Sequence, residues 1–373
     1  MSTIEIQVVD ENQTKILRPL MRQGFGFFGN LMAFDVGKHT LIAKQGETLL
    51  GAIVCGEIKH GKDKKKGIVK YIMTDPKAQG LGVASELMDE AMNWFESQGH
   101  DEIVACVEGY NTASSQLFLK RGFKLRSFFW QFKKYRLKLP WIWLQGNHGL
   151  DLGHFWWTKR LKKEDVPASS YKSSKAFLSH LLLSFFFPAL FMLRSTDIDG
   201  WTILWQAPLV VMSIFAFRFL PMILYSWWIK YPVRYRGWDN GHLLALLITG
   251  VFGGMFLSFG GLYPRKEGWR EDQERPSLAK MHLWGLLGMH LLAFISILLY
   301  AFASVEIPWR GFVNVLLTYS VFMTLFDTLF AFFPVNSMAG GRLRAYYPKA
   351  WWGFALLAFS WFVLLTKLDG LII

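Results

Sequence analysis

From residue 176 onward the chain consists mostly of apolar runs, each about 17–25 residues long, the length an α-helix needs to cross the hydrocarbon core of a bilayer. Six stand out, at about 176–193, 202–224, 242–262, 281–303, 311–333 and 350–366. Lipid offers no hydrogen-bond partners, so a segment immersed in it must satisfy its backbone internally, as a helix does. Residues 176–373 are therefore expected to form an all-α, multi-pass transmembrane domain. Trp201, Trp205, Trp227, Trp228, Trp309, Trp351 and Trp352 crowd the ends of the runs, where an interfacial aromatic belt belongs. The run 202–224 is suspect, because Pro208, Arg218 and Pro221 fall inside it; a re-entrant or non-crossing segment is one reading. Charge counting leaves the number of crossings open. Strict alternation from a cytosolic start puts the basic stretches Arg265–Lys280 and Arg342–Lys349 outside.

The first 175 residues read instead as a soluble α/β module. The whole chain of 373 residues is 52% hydrophobic with a formal charge of +13. That charge does not point to nucleic acid, since no recognition motif or base-stacking pattern accompanies it. Lys159, Arg160, Lys162, Lys163, Lys172 and Lys175 gather just before the first apolar run, an arrangement that favours the cytoplasmic side and anionic headgroups. Solvated charge is the plainer alternative. Met1–Ile6 lacks a basic region followed by an apolar core, so no cleaved signal peptide is expected. Cys55 and Cys106, both in expected strands, do not make a disulfide framework and fit a reducing compartment. The expected organisation is a module over 1–138, a basic aromatic linker over 139–175, and the membrane domain, with the module in the cytoplasm.

Within the module, Ile4–Val9 alternates as a strand and Glu11–Gln23 reads as a helix. Gly24–Phe34, rich in glycine and phenylalanine, is either ordinary core or the wall of an apolar acceptor pocket. Thr40–Ala43 and Leu49–Ile58 form a strand pair, and His60–Gly67 is a charged hairpin tip, solvated or in contact with phosphate. Ile68–Asp75 is the central strand and Ser85–Ser97 a helix; Asp101–Glu108 and Lys124–Lys133 supply the last strands. Between the central strand and the helix lies Gln79-Gly80-Leu81-Gly82-Val83-Ala84. A strand that passes through a glycine-rich turn into a helix presents successive backbone N–H groups to a phosphate. Glycine also permits close backbone approach to an anion.

The turn resembles the GNAT superfamily of acyl-CoA N-acyltransferases. Gln79, Gly82 and Ala84 match the family pattern Gln/Arg-x-x-Gly-x-Gly/Ala, with Asp75-Pro76 entering the turn. A second block comes next in order: the strand Ile103–Val107, Asn111-Thr112-Ala113-Ser114, Phe118, and Arg121-Gly122-Phe123. The resemblance covers roughly residues 40–130. It implies a mixed-sheet acyltransferase fold and binding of acetyl-CoA or another acyl-CoA, without a metal. It assigns the pyrophosphate to the amides of Gln79, Gly80, Leu81, Gly82, Val83 and Ala84, the pantetheine arm to Met73 and Thr74, and further contacts to Asn111 and Phe118.

Acyl transfer to an amine requires a held thioester, a stabilised oxyanion and removal of the amine proton. A backbone amide near Met73–Asp75, where the central strand splays, is the candidate oxyanion donor. The family often uses a tyrosine as general acid to the leaving thiolate. Counted from Asn111, that position is Phe118, which has no proton to give. Tyr110 and Tyr71 are substitutes away from the motif position. Glu57, Asp75 and Glu108 are weak candidates for the base, each with an ordinary surface carboxylate as its plainer reading.

A second stretch, Pro334-Val335-Asn336-Ser337-Met338-Ala339-Gly340-Gly341-Arg342, resembles the Pro-x-x-x-x-Asp-Gly-Gly-Arg signature of site-2-protease-like proteins. Arg234-Tyr235-Arg236-Gly237-Trp238 and Gly241–Leu257 look like the stretch after that family's His-Glu-x-x-His helix. The metal-binding aspartate falls on Ala339, and Arg218-Phe219-Leu220-Pro221-Met222 stands in place of His-Glu-x-x-His. Zinc hydrolysis needs three protein ligands and a base, so this resemblance implies a catalytically dead relative. Asp327 and Arg218, both in apolar runs, either pair with each other or bind an acceptor. His148, His154, His282 and His290 read as structural.

Two functions compete. One is a membrane-anchored N-acetyltransferase whose amine acceptor is lipid-linked or a membrane protein. The other is a CoA-sensing pseudo-acyltransferase that regulates a dead protease-like domain.

Overall fold

A computed structural model describes residues 4–9, 15–23, 39–59, 65–146, 148, 152–161, 173–195, 199–266, 268–302, 307–330 and 337–368. They fall into two units, Met1–Gly149 with His154–Tyr171, and Leu150–Gly153 with Lys172–Ile373. The expectations for Gly24–Phe34 and for most of the tip His60–Gly67 lie outside the described residues, as do Lys162, Lys163 and Lys172.

The first unit is built around a seven-stranded mixed sheet, as expected for an α/β module. Its strands are β1 (Glu5–Val9), β2 (His39–Gln45), β3 (Thr48–Lys59), β4 (Lys65–Thr74), β5 (Glu102–Glu108), β6 (Lys124–Leu125) and β7 (His154–Arg160), in the order β1-β2-β3-β4-β5-β7-β6. Residues 15–23 form a helix, α1. Val9, Ile42, Ala52, Val54 and Met73 pack with Leu17, Leu20 and Met21 of α1 into one buried cluster. On burial, apolar side chains of this size contribute about 1.5–3 kcal/mol each. Only β4 and β5 run parallel, and they pair just from Lys66↔Glu102 to Val69↔Ala105. Immediately beyond, the β3–β4 register slips, from Cys55↔Val69 to Val54↔Tyr71, so that Lys70 is the extra residue of a bulge. A bulge bends its strand. Here β4 leaves β5, and the sheet opens at their C-terminal ends.

α2 (Val83–Ser97) and α3 (Thr112–Lys120) come after β4 and β5 respectively. Residues 124–133 differ from the strand expected there. Only Lys124–Leu125 is strand; Ser127 then caps a helix, α4 (Phe128–Tyr135), by accepting from Trp130 N–H. The stretch read as linker likewise supplies α5 (Leu139–Gln145) and the strand β7. β7 pairs with β5 along its whole length, from Glu102↔Arg160 to Glu108↔His154. An aromatic run beside lysines reads equally as linker or strand; pairing to β5 decides.

The second unit is helical, with α6 (Ser173–Ser184), α7 (Phe186–Ser195), α8 (Gly200–Trp228), α9 (Gly241–Leu246), α10 (Glu271–Phe302), α11 (Ile307–Leu329), α12 (Ala339–Tyr346) and α13 (Pro348–Leu368), and a small ribbon of β8 (Val233–Arg236) and β9 (Gly261–Pro264). Among the described residues, five stretches are long and apolar enough to cross a membrane: Ser173–Arg194, Gly200–Trp228, Glu271–Phe302, Trp309–Leu329 and Pro348–Leu368. The break between α6 and α7 sits at Phe185. Pro188 there cannot donate to the Ser184 carbonyl four residues back.

Two expectations are corrected. The run 242–262 is not a span: α9 leads into one π-helical turn, Leu247–Val251, an irregular stretch and then β9. Five glycines between 250 and 261 weaken a helix there. At Gly260 a Cβ would lie 2.3 Å from the Tyr235 hydroxyl. Conversely, the suspect run 202–224 is part of one unbroken helix with Pro208 and Pro221 inside it. Pro221 leaves the Phe217 carbonyl unpaired within α8, and α10 presses Gly288 onto it; a Cβ on Gly288 would sit 1.8 Å from that oxygen. Arg218 and Asp327, both fully buried, form a two-point ion pair at 2.9 and 3.1 Å. Asp327 also accepts the Ala339 N–H at 2.9 Å, which ties α8, α11 and α12 together.

Candidate functional site

The residues quoted for phosphate binding come together where β4 opens from β5. Asp75 ends the strand with both of its groups committed. Its N–H donates to Leu50 O at 2.8 Å, and its carboxylate accepts Lys77 N–H at 2.7 Å, capping a 3₁₀ turn, Pro76–Ala78. The chain then passes through Gly80 (φ +87°) and Gly82 (φ +84°) into α2. An L-residue in such a left-handed conformation costs about 1–2 kcal/mol. A Cβ at either glycine would meet nothing within 4 Å, so backbone conformation requires glycine here and the face is open. Gly82 caps α2 with no side chain. Its carbonyl accepts from Ser85 and Glu86, whereas the N–H groups of Gly80, Gly82, Val83 and Ala84 find no acceptor among the described residues. These four donors lie at the positive end of a fifteen-residue helix, whereas the amides of Gln79 and Leu81, expected to join them, donate to Pro76 O at 3.4 Å and Ala78 O at 3.3 Å.

Arg121, quoted only as part of a motif, fixes this helix end. Its guanidinium holds Asp89 at 2.7 Å twice, Ser85 O at 2.8 Å and Leu117 O at 3.2 Å, clamping the first turns of α2 to α3. A lone arginine before a glycine carries no sequence signal for that role.

Along β4 the amides alternate in direction. Asp75 donates toward β3, and Met73, paired with Ala52, points the same way. The Thr74 N–H therefore faces the edge that β5 has left, and Asp75, whose amide is spent, is removed as the oxyanion donor. Met73 itself is buried in the core.

The other candidates fall on both sides of this opening and away from it. Asn111 caps α3, its Oδ1 accepting Ser114 N–H at 3.0 Å. Phe118 is buried and packs edge-on to Phe123, 5.0 Å between centroids. Tyr110 is buried, and its N–H donates to Glu108 at 2.9 Å. Glu108 ends β5, Asp75 ends β4, and they flank the opening. Glu57 does not belong there. It faces His100 at 3.2 Å and pairs with Gly67, seven residues and roughly 23 Å of strand from Thr74. One open cleft of about 370 Å³, lined by Gln7, Val8, Val9, Ile16, Ile42 and Lys44, lies on the β1 side, three strands from β4. Cys55 is buried, and burial pushes its thiol up to about 12, which leaves it unreactive. Among the described residues no group of three or more His, Cys, Asp or Glu side chains converges.

The family model described as "Acetyltransferase (GNAT) family" matches residues 11–123. Similar solved structures include a chain of the NatC complex bound to Gag peptide and CoA (20% identity, covering 43% of this chain and 99% of that one, TM-score 0.33). Others are a GNAT family acetyltransferase from Elizabethkingia anophelis with acetyl-CoA bound (17%, 43% and 100%, TM-score 0.31) and an IAA acetyltransferase from Bacillus cereus (16%, 43% and 100%, TM-score 0.28). No curated protein matches the chain.

Proposed function

We propose that this chain, whose first unit is a GNAT acetyltransferase domain, is a membrane-anchored N-acetyltransferase that moves an acetyl or other acyl group from acyl-CoA to an amine. The carrying observation is the set of four unpaired amides on the glycine turn. The diphosphate of CoA would lie against Gly80, Gly82, Val83 and Ala84, and the pantetheine arm would run along the free edge of β4 at Thr74. The amine nitrogen attacks the thioester carbonyl, and the Thr74 N–H stabilises the oxygen as it gains charge. The C–S bond then breaks and CoA leaves as thiolate. Phe118 offers it no proton, and a thiolate needs none to leave near neutral pH. Asp75 and Glu108 border the opening where the amine proton must depart. The five apolar stretches support anchoring in a bilayer. In this reading the first unit lies on the cytoplasmic side and the acceptor is lipid-linked or membrane-borne.

Release of free thiol from acetyl-CoA by detergent-solubilised full-length protein, with a panel of amines, tests the reading. Thiol release that depends on both amine and Gly82 supports it. CoA binding with no turnover on any amine would favour the second reading, a CoA sensor. The hydroxyl-free, buried Phe118 is the observation behind that alternative.

A further inference from the structure

Residues 127–145 contain no Asp or Glu, four Lys or Arg, and eleven residues among Phe, Trp, Tyr, Leu and Ile. They lie beyond the stretch matched by the family model. The structure folds them into α4 and α5, joined by a turn at Arg136, which takes φ +53° without being glycine. One side of this elbow is buried: Gln131, Tyr135, Leu139, Ile142 and Trp143. Trp143 Nε1–H donates to Gln131 at 2.8 Å, joining the helices, and Gln145 exchanges two hydrogen bonds with the Lys59 backbone, fastening α5 to β3. Lys134 turns inward to Glu102, alongside Lys66. The elbow is a fixed platform.

Its other side is apolar and bare. Leu137 is 91% exposed, Trp141 63% and Phe129 58%, with Phe132 and Leu144 also exposed. Lys133, Arg136 and Lys138 stand exposed among them. Soluble surfaces rarely gather so many large apolar groups.

We infer that the α4–α5 elbow docks onto the headgroup region of an anionic bilayer, with Leu137 and Trp141 dipping into the interface and Lys133, Arg136 and Lys138 meeting lipid phosphates. The charge complementarity selects this occupant. Aromatic and aliphatic groups surrounded by cations, with no anion, match an anionic lipid surface. A protein partner of ordinary mixed charge has no comparable reason to prefer it. Docking also places the acyltransferase at the depth where a lipid-linked or juxtamembrane amine would present itself. The inference rests on the proposal that the second unit lies in a membrane.

The test uses full-length protein in vesicles of phosphatidylcholine with phosphatidylglycerol. A polarity-sensitive fluorophore is attached at Leu137→Cys, with separate labels at Glu47→Cys on the β2–β3 turn and at Leu356→Cys on the exposed side of α13. Docking predicts that headgroup-region spin-labelled lipids quench the 137 label, and that pure phosphatidylcholine abolishes this. The 47 label should remain open to aqueous iodide. Neutralising Lys133, Arg136 and Lys138 to Gln should lower the docked-to-free ratio on the order of 100-fold, at a factor of about five per cation. A 137 label as accessible to iodide as the 47 label overturns the inference. So does one shielded from both iodide and lipid quencher, which would mean a protein partner or a second copy. If the 356 label also escapes the lipid quencher, the membrane reading itself has failed; if it alone is quenched, only the docking has.

Discussion

Replacing Gly82 by Ala and by Asp separates backbone geometry from charge at the glycine turn. Gly82 sits at φ +84°, and its Cβ position is empty to 4 Å, so alanine introduces strain without a clash. The strain is about 1–2 kcal/mol. A relaxed turn no longer aims the amides of Gly80, Gly82, Val83 and Ala84 together, and ligand binding must restore the strained form. That cost then appears in affinity as a loss of roughly 5–30-fold. Aspartate adds a carboxylate facing a diphosphate across a few ångströms of mostly aqueous space, worth roughly a further 1–2 kcal/mol, so its loss is on the order of 100-fold. Gly46 supplies the control. It has φ +59° and equally empty surroundings, but it lies in the β2–β3 turn. Gly46→Ala should carry comparable strain and leave CoA affinity unchanged. The assay is calorimetric titration of CoA into full-length protein in detergent. Wild-type affinity in Gly82→Asp, or equal weakening in Gly46→Ala, would refute the reasoning.

The buried Arg218–Asp327 pair should show strong non-additivity: Asp327→Leu strands a guanidinium with no exposure and should cost about 3–5 kcal/mol, whereas Arg218→Met with Asp327→Leu should recover most of it, read from the thermal stability of the four proteins in detergent. Gly288→Val should lower that stability markedly, because its side chain would collide with the Phe217 carbonyl of α8, while the same change at the open Gly353 of α13 should do little. His148 is buried, and burial together with nearby His154 pushes its pKa down to about 3. Unfolded histidine titrates near 6.5, so below that pH the unfolded state takes up a proton the folded state refuses, at about 1.4 kcal/mol per pH unit. Stability of the first unit should therefore be full above about pH 6.5 and fall as pH drops toward 5, and His148→Gln should flatten that slope.

The glycine turn was legible because local chemistry defines it. Proline at 76, glycines at 80 and 82 and an apolar run on either side specify strand, turn and helix without reference to distant residues. The bilayer-length runs were legible for a similar reason, since length and hydropathy are properties of a segment. The Arg218–Asp327 pair was open as one of two readings because two isolated charges in apolar sequence have few ways to be neutralised. Strand β7 was not legible. His154–Arg160 is an aromatic stretch beside lysines, and it becomes a strand only through β5. Nor was the failure of 242–262 to span, since its composition is apolar and only the glycines argued otherwise. Nor was the continuity of α8 through Pro208 and Pro221, which depends in part on Gly288 approaching the freed carbonyl.

By itself, then, the sequence determined which segments could bind an anion and which were apolar enough to leave water, because both follow from side chains and dihedrals within a few turns. The tertiary structure alone decided which amides stay unpaired, where β4 parts from β5, and which aromatic face of residues 127–145 is left bare. Those are outcomes of competition for hydrogen bonds and burial between residues far apart in the chain, and no local pattern encodes who wins.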